Sequence, residues 1–166
     1  MEDESTERLI EVPLDGAGGF RVLAQGAYNL ESPMVSPSGR WVAYASNETG
    51  DYQVHAARYG PQLSQPRELT RGGVTSSLDY PWIRWARGDS EIVYVKGDSV
   101  MSLGFDGQTG SGGVPRLLFR TENELADVSP DGRRFLAVKT PSETAPRRFH
   151  VVLNWSRTVA APGQDR

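Results

Sequence analysis

The chain has 166 residues, of which 37% are hydrophobic and 23% charged, with a formal net charge of −3. This balance is typical of a soluble globular protein and is too apolar for a chain without a core. The negative charge argues against a general nucleic-acid binder. Because there is no cysteine, a disulfide scaffold and thiolate metal sites are excluded.

The two ends of the chain are polar, and no segment is apolar enough for membrane insertion. Residues 1–8 carry no basic region followed by an apolar stretch, so they do not form a signal peptide. A membrane span would need about 18 consecutive apolar residues, which the chain lacks. We expect residues 1–7 and 158–166 to be disordered tails.

The first predicted elements are two strands, near residues 8–14 and 20–23, joined around Asp15-Gly16. Next comes the turn Ser36-Pro37-Ser38-Gly39, followed by the apolar strand Trp41-Val42-Ala43-Tyr44. Proline presets the backbone for the second turn position, and glycine accepts the positive φ that closes the turn.

This turn and its exit strand recur twice along the chain. Ala86-Arg87-Gly88-Asp89 precedes a strand at 91–95, and Ser129-Pro130-Asp131-Gly132 precedes one at 134–138. The copies start 50 and 43 residues apart, close to the ~40–50 residues of a propeller blade. The exit strands are almost continuously apolar, which favours sheets packed on both faces.

Further strands fill the intervals, and the whole pattern predicts an all-β protein with about thirteen strands. These additional strands are expected near residues 52–58, 66–72, 99–105, 115–119 and 149–155. The predicted fold is a β-propeller fragment of about three four-stranded blades, forming an open arc and not a closed ring. Its units are the last two strands of a blade, two whole blades and a three-stranded final blade (residues 8–26, 27–73, 74–121 and 122–157).

The three repeat turns and their exit strands resemble the TolB-type, WD-like β-propeller repeat, which is marked by Ser-Pro-Asp-Gly before an apolar strand. Residues 36–52, 115–119 and 151–155 are more specifically similar to the C-terminal propellers of bacterial membrane-bound serine/threonine protein kinases. The resemblance covers roughly residues 8–155. The sequence departs from the repeat at the middle turn, where Ala-Arg-Gly-Asp stands in place of Ser-Pro-Asp-Gly. No kinase domain is present, because the chain has no His-Arg-Asp or Asp-Phe-Gly motif. The resemblance therefore implies the sensor half of such a protein and no kinase activity.

No catalytic, cofactor or metal site is predicted. Gly110-Ser111-Gly112-Gly113 is expected to be a loop between two strands and lacks the strand-to-helix context of a hydrolase nucleophile. Gly16-Ala17-Gly18-Gly19 opens no helix that could hold phosphate. The faint likeness of residues 36–41 to a sialidase Asp box lacks the aspartate. His55 and His150, the two histidines, lie far apart and without further ligands.

The candidate ligand- or partner-facing residues are Tyr80 and Trp82, which belong to the first strand of a predicted blade together with Trp85. Inner propeller strands line the central channel, and the loops entering them form the usual binding face. Packing between blades is the alternative role for these aromatic residues.

The predicted function is a non-enzymatic module for protein interaction or ligand sensing, with an unidentified protein or small ligand as its partner and no cofactor. The alternatives are an accessory substrate-gating propeller of a peptidase or other hydrolase, and a truncated remnant without function. The sequence leaves two cellular compartments as alternatives. The chain as it stands would be cytoplasmic, and as part of a kinase-type membrane protein it would be extracytoplasmic. An open arc of blades also predicts exposed apolar faces and self-association.

Overall fold

The computed structural model describes residues 6–14, 18–74 and 81–139, and this part of the chain is all-β. It contains no α-helix, and its single 3₁₀ turn spans Gly88–Ser90. The thirteen strands described are β1 Glu7–Glu11, β2 Arg21–Gly26, β3 Leu30–Val35, β4 Trp41–Ser46, β5 Gln53–Arg58, β6 Ser64–Glu68, β7 Ile83–Ala86, β8 Glu91–Lys96, β9 Ser99–Asp106, β10 Ser111–Gly112, β11 Arg116–Arg120, β12 Glu124–Val128 and β13 Phe135–Val138.

The strands form four antiparallel sheets in chain order, none of them closed. The N-terminal hairpin is β1–β2, and the first sheet is the meander β3-β4-β5-β6. The second sheet is β7-β8-β9, extended by β11 and the short β10, which both pair with β9. The C-terminal hairpin is β12–β13. Within each sheet the paired strands are therefore consecutive in the chain, except that β11 pairs with β9.

Three apolar layers join consecutive sheets face to face. The central layer, between the first and second sheets, includes Trp41, Ile83 and Leu103, which are all fully buried. The N-terminal layer joins the N-terminal hairpin to the first sheet, and the C-terminal layer joins the second sheet to the C-terminal hairpin. Their buried members are Leu9, Leu30, Val42, Tyr44 and Ala57 for the N-terminal layer, and Trp82, Ala86, Val93, Val95, Val100, Leu125 and Val128 for the C-terminal layer.

Packing on both faces explains the continuous apolarity of two exit strands. Every residue of β4 is buried, with Ala43 in the central layer and Val42 in the N-terminal layer. Residues 91–95 of β8 are buried in the same way. Because successive side chains of a strand point to opposite faces, both sets must be apolar when both faces are covered. In β13 Phe135 is half-buried and residues 136–138 are exposed, so two-sided burial is confirmed only for β4 and β8.

The two Ser-Pro-x-Gly turns share one hydrogen-bond pattern. In the first, Gly39 N donates to Ser36 O at 2.8 Å and Ser36 N donates to Trp41 O at 2.8 Å. In the third, the corresponding Gly132–Ser129 and Ser129–Arg134 bonds measure 2.7 and 2.8 Å. The φ angles of Gly39 and Gly132 are 70° and 68°, which confirms the positive φ predicted for both.

The middle turn has a different geometry because it lacks proline. Arg87 adopts a left-handed conformation with φ 51°, Gly88 follows with φ 65°, and the 3₁₀ turn leads into β8. The hydroxyl of Ser90 donates to Arg87 O at 2.7 Å. The turn nevertheless connects two paired strands as its counterparts do.

The structure differs from the expected strand pattern in three places, one of which is the strand expected at 66–72, which spans Ser64–Glu68. The first strand ends at Glu11, before Pro13, and the second extends to Gly26. The segment containing Ser111 was expected to be a loop, but Ser111 and Gly112 pair with the end of β9 as β10. The expected strand at 149–155 and both expected tails, apart from residues 6 and 7, lie outside the described residues. No helix in the described ranges is long and apolar enough to cross a membrane.

Candidate functional site

The strands run between two ends of the stack, and each end carries its own set of polar side chains. The three repeat turns (residues 36–40, 87–90 and 129–134) lie at one end, here called the turn end. The connections at 27–29, 47–52, 97–98 and 121–123 lie at the other, the loop end. Loops held by a rigid scaffold are where binding groups usually lie.

At the turn end, neighbouring turns bond to one another. Asp89 in the middle turn accepts hydrogen bonds from the backbone N and the hydroxyl of Ser38 in the first turn, the former at 3.0 Å. Arg87 N donates to Pro130 O in the third turn at 2.7 Å. Burial alone would raise the pKa of Asp89, but the Ser38 bonds and the nearby Arg40 charge hold it below its usual value. The three turns are thus held in a row.

A buried carboxylate lies beneath the third turn. The Glu91 side chain is only 8% exposed and pairs with Arg87 at 3.1 Å and with Arg116 at 2.8 Å. A Cβ added at Gly132 would lie 3.3 Å from the Glu91 carboxylate, so the turn covers it closely. Both oxygens of Glu91 are engaged, which makes the group part of the packing between the second sheet and the C-terminal hairpin.

At the loop end, a hydrogen-bonded network joins the connection before β3 to the connection before β5. The Asn29 amide Nδ2 donates to the Tyr52 hydroxyl at 2.9 Å, and that hydroxyl donates to the Glu31 carboxylate. Asn29 N donates to Asn47 Oδ1 at 2.7 Å. Burial and the bond to Glu31 raise the pKa of Tyr52. The network presents amide, phenol and carboxylate groups next to one another at the surface.

The bonding of the Tyr52 hydroxyl bears on the chemistry that this network can perform. The Tyr52 hydroxyl is the donor to Glu31 and its pKa is raised, so it is not activated as a nucleophile. Within residues 6–14, 18–74 and 81–139 there is no group of three or more His, Asp or Glu side chains that could hold a metal ion.

Of the two candidate ligand-facing residues, Tyr80 lies outside the described residues. Trp82 is 6% exposed and belongs to the C-terminal layer, where its Nε1 donates to Ala126 O at 3.4 Å and Arg84 stacks over its ring. This position matches the packing role given above as the alternative. A ligand-facing role for the pair stays a prediction.

Two further tryptophans also bond across sheet boundaries. Trp85 Nε1 donates from β7 to Met34 O in β3 at 2.9 Å. Trp41 Nε1 donates from β4 to Gly107 O, just beyond β9, at 3.0 Å. Each ring therefore fills an apolar layer while its N–H pairs with the backbone of the neighbouring sheet, as buried tryptophans generally require.

The glycine- and serine-rich segment after β9 shapes the cover over Trp41. Gly110 has φ 75°, and a Cβ there would lie 2.4 Å from the Trp41 ring. The Ser111 hydroxyl bonds to Thr109 Oγ1 at 2.9 Å and is not joined to a histidine. The only glycines of 16–19 that are described, Gly18 and Gly19, also have positive φ.

His55 is the one histidine among the described residues, and it lies inside the molecule. It is 5% exposed and stacks on Tyr44 with ring centroids 5.4 Å apart. Its Nε2 has no hydrogen-bond partner, and burial lowers its pKa. His150 lies outside the described residues.

Sequence reasoning missed both polar networks. Ser38 and Asp89 are 51 positions apart, and Asn29 and Tyr52 are 23 apart. The one available signal is that Ser38 occupies the place of the turn aspartate in Ser-Pro-Asp-Gly, which leaves that turn without a carboxylate of its own. No family model matches the chain, and no curated protein matches it.

Proposed function

We propose that the chain is a segment of a TolB-type β-propeller in which the first sheet and the second sheet are each one blade. Two complete antiparallel meanders in chain order support this architecture, as do the apolar layers between consecutive sheets. The bonds from turn to turn add to it, because each pair of neighbouring repeat turns is joined, Ser38 to Asp89 and Arg87 to Pro130. A stack of sheets with a common polar end is what radial repetition of blades requires.

We further propose that this propeller is a non-enzymatic module for protein interaction or ligand sensing. The observation that carries the proposal is the loop-end network, in which exposed Asn29 and half-buried Tyr52 lie on connections and half-buried Glu31 lies near the start of β3. Its fixed donors and acceptors suit recognition of a polar ligand or protein surface. On the resemblance to bacterial kinase propellers, the parent protein that we propose is one in which such a module forms the sensor half.

Binding is tested by thermal denaturation of the purified chain against a panel of defined probes. The panel contains amino acids, mono- and disaccharides, nucleotides, and short basic, acidic and apolar peptides. We expect at least one probe to raise the melting temperature, because a ligand that binds only the folded state stabilises it. The same probe should raise the melting temperature of the Glu31→Gln variant by a smaller amount, because this variant lacks the carboxylate of the loop-end network.

Ser38→Ala at the turn end is the matched control, since it removes a polar contact at the opposite end of the stack. It should leave the probe's effect intact. A panel without any effective probe would contradict the proposal, and so would an effect lost in Ser38→Ala but kept in Glu31→Gln.

We also propose that this chain by itself associates through its outer faces. Ile10 (47% exposed) and Phe20 (56%) lie at the N-terminal hairpin, and Leu136 (65%) and Val138 (53%) lie on the C-terminal one. Apolar patches of this kind favour association. Light scattering at micromolar concentration should give a mass above that of one chain, and a cooperatively folding monomer would contradict this proposal.

A further inference from the structure

His55 lies on the face of the first sheet that carries the N-terminal layer, the contact that attaches the N-terminal hairpin to this sheet, and it stacks on Tyr44 of that layer. It stands two positions before Ala57 on β5, so both side chains point to the same face of the sheet. Ala57 is fully buried in this layer, and Tyr44, on which His55 stacks, belongs to it as well. The buried imidazole therefore lies on the face of the first sheet against which the hairpin packs.

The imidazole Nε2 in this layer is buried without a hydrogen-bond partner. A neutral imidazole leaves one ring nitrogen as an acceptor and tolerates this position, whereas a protonated ring would add a buried N–H and a positive charge. Burial accordingly lowers the pKa of His55, even though the charges of Glu68 and Glu48 act to raise it.

The titratable and charged groups around this position come from every neighbouring element. Tyr44 faces His55 from β4, Glu68 pairs with it from β6, and Glu48 lies on the β4–β5 connection. Tyr28 approaches Tyr44 from the connection before β3. The charged residues of the hairpin strands are Glu7, Arg8, Glu11 and Arg21, of which Glu7 accepts a bond from Leu30 N and Glu11 pairs with Arg21.

The hairpin itself has little independent stability. It consists of two strands, and isolated two-stranded hairpins are marginal in water. Its polar bonds to the first sheet include those from Leu30 N to Glu7, from Tyr59 to Glu11 and from Leu63 N to Leu23 O. Its attachment therefore depends on these bonds together with the apolar layer on whose face His55 lies.

We propose that His55 makes the attachment of the N-terminal hairpin sensitive to acid. When the imidazole takes up a proton, the hairpin detaches from the first sheet and exposes the surface around Val42, Tyr44 and Ala57. The second sheet and the central layer stay folded, because that layer contains no histidine among the described residues. The segment is thus a pH-controlled cover over one face of the first sheet.

The direction in which pH changes the attachment of the hairpin follows from proton linkage. In the detached state His55 is solvated and has its ordinary pKa of about 6.5. In the attached state its pKa is lower, so the detached state binds the proton more tightly. Attachment is complete above about pH 6.5 and weakens as the pH falls towards the lowered value. One proton changes the detachment equilibrium by at most about tenfold per pH unit.

Cysteine protection measures this opening directly, since the natural chain has no cysteine. Ala57→Cys places a small thiol in the N-terminal layer, and Ala43→Cys places one in the central layer on the opposite face of the same sheet. Both alanines are fully buried. Each variant is labelled with 4,4′-dithiodipyridine between pH 7.5 and 5, and its rate is divided by that of the urea-unfolded chain at the same pH.

We expect the protection of Ala57→Cys to fall severalfold or more below about pH 6.5 while that of Ala43→Cys stays constant. Adding His55→Gln, or His55→Phe if the glutamine variant does not fold, should remove the pH dependence. His150→Gln should keep it. Constant protection of Ala57→Cys, an equal fall at both positions, or a pH dependence that survives loss of His55 would each overturn the proposal.

Discussion

The central sheets and the two end hairpins have similar strands but very different burial. β4 and β8 are buried along almost their whole length, because each belongs to a sheet with an apolar layer on both faces. β13 follows the same kind of turn, yet residues 136–138 are exposed. The exit strand is thus apolar in all three copies, while its burial depends on whether a neighbouring sheet covers it.

This difference indicates where the free energy of folding is concentrated. Burying a large aliphatic side chain contributes roughly 1.5–3 kcal/mol, and the central layer has many of them. Within the described residues, each end hairpin has an apolar layer on only one face and so contributes less buried apolar surface. We therefore expect the effects of substitution to fall from the centre of the stack to its ends.

The largest effect is expected in the central layer. Ile92 is fully buried, and Ile92→Ala would leave a cavity between the first and second sheets. The free energy of unfolding should fall by about 2–5 kcal/mol. Urea denaturation followed by tryptophan fluorescence measures it, and a loss below about 1 kcal/mol would show that the central layer is loosely packed.

The repeat turns should be the next most sensitive positions. Gly132→Val and Gly39→Val each force a branched residue into positive φ, so each should cost more than about 1 kcal/mol. Gly132→Val should cost more, because its Cβ would approach Arg87 and Glu91, whereas the Cβ at Gly39 meets open space. An unchanged melting temperature for Gly132→Val would contradict the turn geometry.

Alkaline pH should weaken the N-terminal layer through Tyr44. Burial raises the pKa of Tyr44 to about 12, above its ordinary value of 10. The neutral phenol is thus favoured in the folded state, and its contribution is complete below pH 10 and lost as the pH rises towards 12. Tyr44→Phe should flatten the loss of stability between pH 10 and 12 in denaturant titrations. A slope equal to that of the natural chain would refute the assignment.

The smallest effect is expected on the exposed face of the C-terminal hairpin. Leu136 is 65% exposed, so Leu136→Ala should change the free energy of unfolding by no more than about 0.5 kcal/mol. It is the matched counterpart of Ile92→Ala, since both remove an aliphatic side chain from an exit strand. Measured at a concentration where the chain is monomeric, a loss near that of Ile92→Ala would mean that this face is buried.

Local sequence predicted the strands and turns well because both depend on short-range chemistry. Ser36-Pro37 and Ser129-Pro130 set the backbone for a turn, and the glycine two positions later closes it. The Ala-Arg-Gly-Asp turn was less predictable because it lacks proline. Two of its residues, Arg87 and Gly88, have positive φ, whereas in the other two turns the residue with positive φ is the glycine at the fourth position. The pairing of Ser111 with the end of β9 was missed, since a two-residue strand has no periodicity to detect.

By itself, the sequence determined that this protein is all-β, where its strands alternate with turns, and that two of its turns need glycine at positive φ. Those features depend on a few neighbouring residues. Only the tertiary structure decided that Asp89 bonds to Ser38, that Trp41 and Trp85 donate to backbone carbonyls of another sheet, and that His55 is buried. These contacts join residues up to 66 positions apart, and they exist because the sheets stack face to face.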